Sequence, residues 1–462
     1  MYFPLRSRVR RGAASRGLIA GSVAARRAAA VSAPASDALE PRVMLDGNVR
    51  VILSGDTLTI RGDDAANSLD VVVDEVNGTV EFDGFDGTTV ELIANGVSTG
   101  PQDDVEVDLG DLDRPIRNLN VNLLRGNDTI FFDGGGLLIA TNDVNVNGRE
   151  GSDTIEMVDF EVGDDLKVIG HGGNDQIFLA DVAVGDDLRV YGNNNDDLIE
   201  IDRALVGDDM SLVGGRGDDG VLVNATVVGD DMRVWLGSGE NVAIVTQTVV
   251  DDDVLLKGGD EQDLIAAIEL RSDDDVEIDL EGGDDIAILS GLIVDDNTKV
   301  EGDGGDDFVI IASPAGDGFE ELALGLLDDP TTPDDDEFAQ AVTDALVAGS
   351  AVNRFEDLKV DLNRGDDAVV ILGANSYDNV DLDGDSGFDL LAIAPGQRAD
   401  DFDIEQFDLR AFDTDDVLGA IADEQAELLG EVLFGLAALL DENAGGDGGF
   451  GEDDDDGENG AA

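Results

Sequence analysis

The chain of 462 residues contains no cysteine and a single histidine, His171. The first absence removes disulfide frameworks and thiol nucleophiles, and the two together remove most zinc sites and most histidine-based catalysis. Aromatic residues make up only 5%, with Trp235 the lone tryptophan, so the aromatic platforms of a substrate cleft are scarce. No stretch approaches the ~20 apolar residues of a membrane-spanning helix. Basic residues are few, 27 against 106 acids, and only four of them are lysine. The resulting charge of −79 argues against nucleic acid and anionic membrane surfaces as partners and leaves calcium or other cations, or cationic surfaces, as the natural counterparts. A hydrophobic content of 42% is ample for a core, so the acidity does not signal disorder.

The few basic residues are unevenly placed. Residues 1–36 hold seven arginines and no acid, which leaves 20 basic residues against all 106 acids in the remainder, 20 − 106 = −86. A basic, Ala/Ser-rich leader with one short apolar run, GLIAGSVAA, reads as a targeting segment rather than part of a fold. Arg26 and Arg27 directly after that run do not suit an ordinary secretory signal, and Arg10 and Arg11 lack the rest of a twin-arginine pattern. Leu39–Leu45, LEPRVML, resembles the LEPR-XLL motif of large, repeat-containing bacterial surface proteins, with Met44 where that family has leucine. The resemblance covers seven residues and implies export, hence an extracellular or cell-surface location. It implies no activity.

The dominant signal is a period of 22. Asp164, Asp186, Asp208, Asp230, Asp252, Asp274 and Asp296 form one column. Asp165, Asp187, Asp209, Asp231, Asp253 and Asp275 form the next, and Asp153, Asp175, Asp197, Asp219, Asn241, Asp263, Asp285 and Asp307 a third. Apolar columns run in the same register, such as Leu166, Leu188, Met210, Met232 and Val254. Within a repeat the apolar positions alternate, 166 with 168 and 177 with 179, which is the period of a β-strand. A unit this short cannot bury its own apolar face and must stack on its neighbours at ~4.8 Å per coil. The expected fold is all-β: a right-handed parallel β-helix (β-solenoid) of 22-residue coils, about a dozen of them, with a helical insertion and a C-terminal amphipathic helix. A leucine-rich horseshoe lacks its Leu/Asn consensus here.

The expected organisation is a basic leader with the LEPR-XLL-like motif at 1–47, a β-rich entry at 48–115 and the parallel β-helix at 116–314. A helical insertion (315–353), final coils (354–398), a capping helix region (399–441) and a disordered acidic tail (442–462) follow. In the strands around residues 177–179 the outward positions change character along the chain. Thr154, Glu156, Gln176 and Glu200 give way to Val242, Ile244, Leu264, Ile286, Ile288 and Ile310. A strand apolar on both sides is covered on both sides. Either the inserted or C-terminal helices lie there, or an apolar stripe is exposed for self-association.

Stacked aspartates repel by ~1 kcal/mol per pair in water and by several at lower dielectric. The columns therefore need full solvation, salt or bound cations, and calcium, which takes six to eight oxygens from carboxylates and turn carbonyls, is the natural ligand. GGRGDDGVL at 214–222 fits the GGxGxDxφx nonapeptide, and GREGSDTIE, GHGGNDQIF and GDGGDDFVI fit it in part. These look like the hemolysin-type calcium-binding repeats of RTX proteins. By that resemblance Asp153, Asp175, Asp219, Asp285 and Asp307 are inter-coil calcium ligands; Asp197 and Asp263 share their column, and Asp164, Asp186, Asp208 and Asp230 belong to the opposite turn. RTX nonapeptides follow one another directly, however, whereas here one such turn occurs per 22 residues. The reading that the aspartates are solvated turn formers of a halophilic-type acidic protein therefore stays open beside the metal.

The function expected is an exported structural or adhesive solenoid, binding a cell-surface or extracellular-matrix polymer. The competing class is a polysaccharide lyase or hydrolase, for which Lys167, Arg189 and Arg233 on an outward column would be candidates. An even spread of acids and few aromatics favours the structural class, so no catalytic residue is assigned.

Overall fold

The computed structural model describes residues 47–74, 78–94, 96–108, 116–135, 138–312, 353–371, 375–393, 401–407 and 409–411. These fall in one compact unit, Leu45–Glu442. The leader, the LEPR-XLL-like motif, the helical insertion up to residue 352 and the acidic tail lie outside the described residues, as does the capping helix region beyond 411. The first part of that region differs from the expectation, because Asp401–Glu405 and Leu409–Ala411 are strands that extend the two sheets past residue 398.

Every described element is a strand, and the strands stack in parallel as a β-solenoid. Each coil contributes one strand to a 16-stranded first sheet and one to a 15-stranded second sheet. From Leu138–Ala140 to Ile293–Val294 a two- or three-residue strand adds an eight-stranded third sheet, so these coils are three-sided. Register is strict: Leu166 faces Leu188, which faces Met210, which faces Met232, each 22 residues on. About ten coils are built this way, slightly fewer than the period alone suggests, because the first part of the chain pairs differently. There Asn48–Ser54 and Thr57–Arg61 form an antiparallel hairpin, and Ser68–Asp74 pairs antiparallel with Thr79–Gly84. Thr57–Arg61 and Ser68–Asp74 then start the parallel stack against Asn118–Arg125 and Thr129–Asp133.

The apolar columns form one continuous core. Leu166, Val168, Leu188, Val190, Met210 and Leu212 are all fully buried, as are Ile177, Ile199 and Val221 on the facing sheet. Burying each such side chain is worth roughly 1.5–3 kcal/mol relative to exposure, and coil stacking is the only way these short strands obtain it. Phe132 and Phe160 meet edge to face at 5.7 Å where the third sheet begins. The register continues across residues 313–352: Asn297–Glu301 pairs with Asp357–Asp361, and Phe308–Ala312 with Ala368–Ile371. The outward face of the second sheet is buried in the later coils, with Ile288 at 3% and Ile310 at 2% exposure. This agrees with strands covered on both sides.

Candidate metal-binding turns and the aspartate ladders

Each coil turns at two aspartate-bearing corners, and the corners differ. The V-G-D-D corner, expected to hold Asp164, Asp186, Asp208 and Asp230, is open to solvent. Its second aspartate accepts the backbone N–H of its counterpart one coil later: Asp209 N donates to Asp187 Oδ1 at 3.1 Å, and Asp231 N to Asp209 Oδ1 at 3.3 Å. The first aspartate is left facing water and its neighbours. Toward the later coils carboxylates converge in three groups, Asp230 with Asp231 and Asp252, Asp252 with Asp253 and Asp274, and Asp274 with Asp275 and Asp296. Within each group one oxygen per residue lies within 4.8 Å of the others. Asp186 and Asp230 are lifted above the usual carboxylate range, first by lost hydration and then by repulsion from aspartates of the same turn and the adjoining coils.

The opposite corner is closed. Asp153, Asp175, Asp197, Asp219, Asp263, Asp285 and Asp307 are buried, each at 0% or 1% exposure, and they form a ladder of the reverse polarity. Asp153 N donates to Asp175 Oδ1, Asp175 N to Asp197 Oδ1 and Asp197 N to Asp219 Oδ1, all at 2.8 Å. The ladder starts at Asn67, whose backbone N–H donates to Asp128, and crosses the interruption through Asp307 N to Asp367 Oδ1 at 2.7 Å. A turn N–H that would be orphaned in each coil is thereby paired.

The second oxygen of these carboxyls is less well served. Oδ2 of Asp153, Asp175, Asp197, Asp219, Asp285 and Asp307 has no hydrogen-bond partner among the described residues. It presses on a glycine Cα in the preceding strand: a Cβ at Gly170 would lie 2.3 Å from Asp175 Oδ2, and one at Gly214 would lie 2.7 Å from Asp219 Oδ2 and 2.6 Å from the Leu236 carbonyl oxygen. The recurring glycine is there for this approach. Burial lifts these carboxyls against the pull of the backbone N–H, to about 7 at Asp175 and Asp263, about 8 at Asp153, Asp219 and Asp307, and about 9 at Asp197 and Asp285. A proton on the carboxyl removes the charge that an unpartnered buried Oδ2 would otherwise carry. Asn241 occupies the same place as a permanently neutral member: its Oδ1 accepts from Asp219 N at 2.9 Å, and its Nδ2 donates to the Gly239 carbonyl at 2.7 Å.

The two columns singled out in the sequence are therefore kept apart by the fold. Of the candidate ligands named from the sequence, Asp230 is the one that joins a convergent cluster among the described residues; the others in the clusters, Asp231, Asp252, Asp253, Asp274, Asp275 and Asp296, continue its column and the adjacent one. The 22-residue spacing contained this pairing, but only the register of the turns shows which oxygens converge. The buried column offers at most one free oxygen per coil in an enclosed place, and none at Asn241 or at Asp263, whose Oδ2 accepts the Gly259 N–H at 2.6 Å. A hard cation needs six to eight oxygens, and the open turns, where carboxylates of two coils meet and water can complete the shell, fit it better.

Comparison with family profiles, with curated proteins and with solved structures gave no match.

Proposed function

We propose that the protein is an exported structural or adhesive surface rod whose open acidic turns take up calcium. The convergence of three carboxylates from two adjacent coils, repeated at Asp230, Asp252 and Asp274, carries the metal part of this reading. Divalent cations bridging successive coils would relieve the repulsion along the column and stiffen the stack. The arginine-rich leader and LEPRVML support export, and the evenly repeated solenoid supports a structural rather than a catalytic role.

The test is calorimetric calcium titration with thermal melts of the full chain, at low and high sodium chloride, with magnesium as control. Saturable binding with a calcium-specific rise in melting temperature, reduced in Asp230→Asn/Asp252→Asn/Asp274→Asn, is expected. Equal stabilisation by sodium, magnesium and calcium would reduce the columns to screened turn formers and remove the metal from the function.

A further inference from the structure

The outward face of the first sheet departs from the rest of the molecule. Across six successive strands, Asn118–Arg125, Val144–Glu150, Leu166–Gly172, Leu188–Asn194, Met210–Arg216 and Met232–Ser238, the side chains alternating away from the core include one acid, Glu150, and Arg125 pairs with it at 2.9 Å. In a chain with 106 acids this strip, ~24 Å along the stack, is instead amide, basic and aromatic. Asn120, Asn122, Asn145 and Asn147 stack in two columns that continue into Lys167, Arg189 and Ile169, Tyr191.

Two features repeat within the strip. Arg189-Val190-Tyr191 recurs two coils later as Arg233-Val234-Trp235, which places two aromatic rings in one column ~10 Å apart with an arginine beside each. Trp235 is 45% exposed, one of the few large apolar side chains left open to solvent among the described residues. Each arginine is steadied from one side by turn aspartates, Arg189 by Asp187 and Asp165 and Arg233 by Asp231 and Asp209. Arg149 and Lys167 have no carboxylate partner among the described residues; Lys167 instead lies 5.1 Å from the centre of the Tyr191 ring.

The backbone holds the side chains at one edge of the strip against its own preference. Arg149, His171 and Asn193 occupy one column at φ of 95°, 86° and 87°, where Gly215 and Gly237 continue the same column at 129° and 99°. A left-handed conformation disfavours a bulky residue, and glycine demonstrably serves the turn two coils away. Leu124 heads the same column at φ 81°, so this backbone fixes where the side chains project rather than which residue types stand there.

We infer that this face docks a polyuronate, an acidic polysaccharide whose carboxylates meet Arg149 and Lys167 and whose sugar rings lie against Tyr191 and Trp235. Guanidinium and ammonium groups left without a carboxylate partner among the described residues of an otherwise acidic molecule are complementary to carboxylates. Half-open aromatic rings present a flat apolar surface to the C–H face of a sugar, and the amide columns supply donors and acceptors for its hydroxyls. The extent of the strip over six paired strands suits a linear chain better than a compact ligand. The inference gives the adhesive reading a partner and rests on it only for the partner's location outside the cell; the surface is separate from the acidic turns.

Trp235, the chain's only tryptophan, reports directly on this site. Sodium alginate oligosaccharide is titrated into the full chain at about 0.15 M ionic strength with a calcium chelator present, following Trp emission and its quenching by acrylamide. Saturable blue-shifted emission with reduced quenching is expected, with an uncharged β-glucan of equal length giving neither. Lys167→Glu, and Arg149→Glu with Lys167→Glu, should weaken alginate by about tenfold or more while leaving the melting temperature close to that of the parent. No saturable change with alginate, equal binding of the β-glucan, or an unchanged affinity in folded Arg149→Glu/Lys167→Glu would overturn the assignment. Asp230→Asn/Asp252→Asn/Asp274→Asn separates the two proposals, since it should reduce the calcium response and leave alginate binding in chelator intact.

Discussion

Replacing Asp197 by asparagine tests whether the buried ladder is a column of neutral acids. Asp197 is buried at 1% exposure, and its carboxyl is lifted from 3.8 to about 9, by burial first and then, against the Asp175 backbone N–H that lowers it, by the charges of Asp219, Asp175 and Asp196. Because the folded value lies above the unfolded one, the stabilising contribution is complete below 3.8 and is lost as pH rises through about 9. At pH 7 roughly three units of that interval have been crossed, so holding the proton costs the wild-type fold about 4 kcal/mol at this one residue. Asparagine has no proton to lose. Asn241 shows that the site accepts it: the backbone N–H of Asp219 is still received, and the amide finds the Gly239 carbonyl and Asp263 Oδ1. Thermal melts of Asp197→Asn and wild type at about pH 4, 7 and 9, in chelator, should show near-equal stability in acid and a lead for the variant that widens with pH. A variant less stable than wild type at neutral pH, or a gap that does not change with pH, would mean the carboxyls are charged and otherwise neutralised, and the argument would fail.

Gly170→Ala would drive a methyl to 2.3 Å from Asp175 Oδ2 and should destabilise by about 1–3 kcal/mol, read as an earlier denaturant midpoint. His171→Gly relieves a left-handed backbone and should raise stability by about 1 kcal/mol in the same assay, while Asn147 loses the ring nitrogen 3.4 Å away. Phe132→Ala removes the buried edge-to-face contact with Phe160 and should cost about 3–5 kcal/mol, visible as early melting of the first coils by hydrogen exchange.

The architecture was legible in the sequence because a coil repeats both its apolar and its turn residues. Leu166, Leu188 and Met210 announce a stacked column before any coordinates are known, and the departure from alternation at Ile288 and Ile310 correctly marks a face buried on both sides. The aspartate columns were equally visible, yet their separate roles were not. Spacing cannot tell an oxygen that accepts an N–H from the next coil in the open, as Asp209 Oδ1 does from Asp231, from a buried one that accepts from the preceding coil, as Asp197 Oδ1 does from Asp175. Asn241 was the available clue, since an amide in a column of acids points to a neutral hydrogen-bonding role. His171 stands in the strand Leu166–Gly172 at a left-handed position that sits within the ladder rather than after it, a conformation that spacing alone does not reveal. The outward column of Lys167, Arg189 and Arg233 was visible from the period, but Arg149, Tyr191 and Trp235 beside it were not, because the strip spans more than 80 positions of sequence and only the register gathers them.

The uninterrupted pairing of Asn297–Glu301 with Asp357–Asp361 carries a consequence for how such a chain can change. A coil recognises its neighbours through local contacts alone, so material can enter or leave at a corner in any amount provided that the chain returns to the same register. Length along the stack is thereby quantised, in steps of ~4.8 Å, and a duplication or loss of 22 residues alters reach without altering any remaining interface. The molecule is in effect a ruler whose graduations are interchangeable.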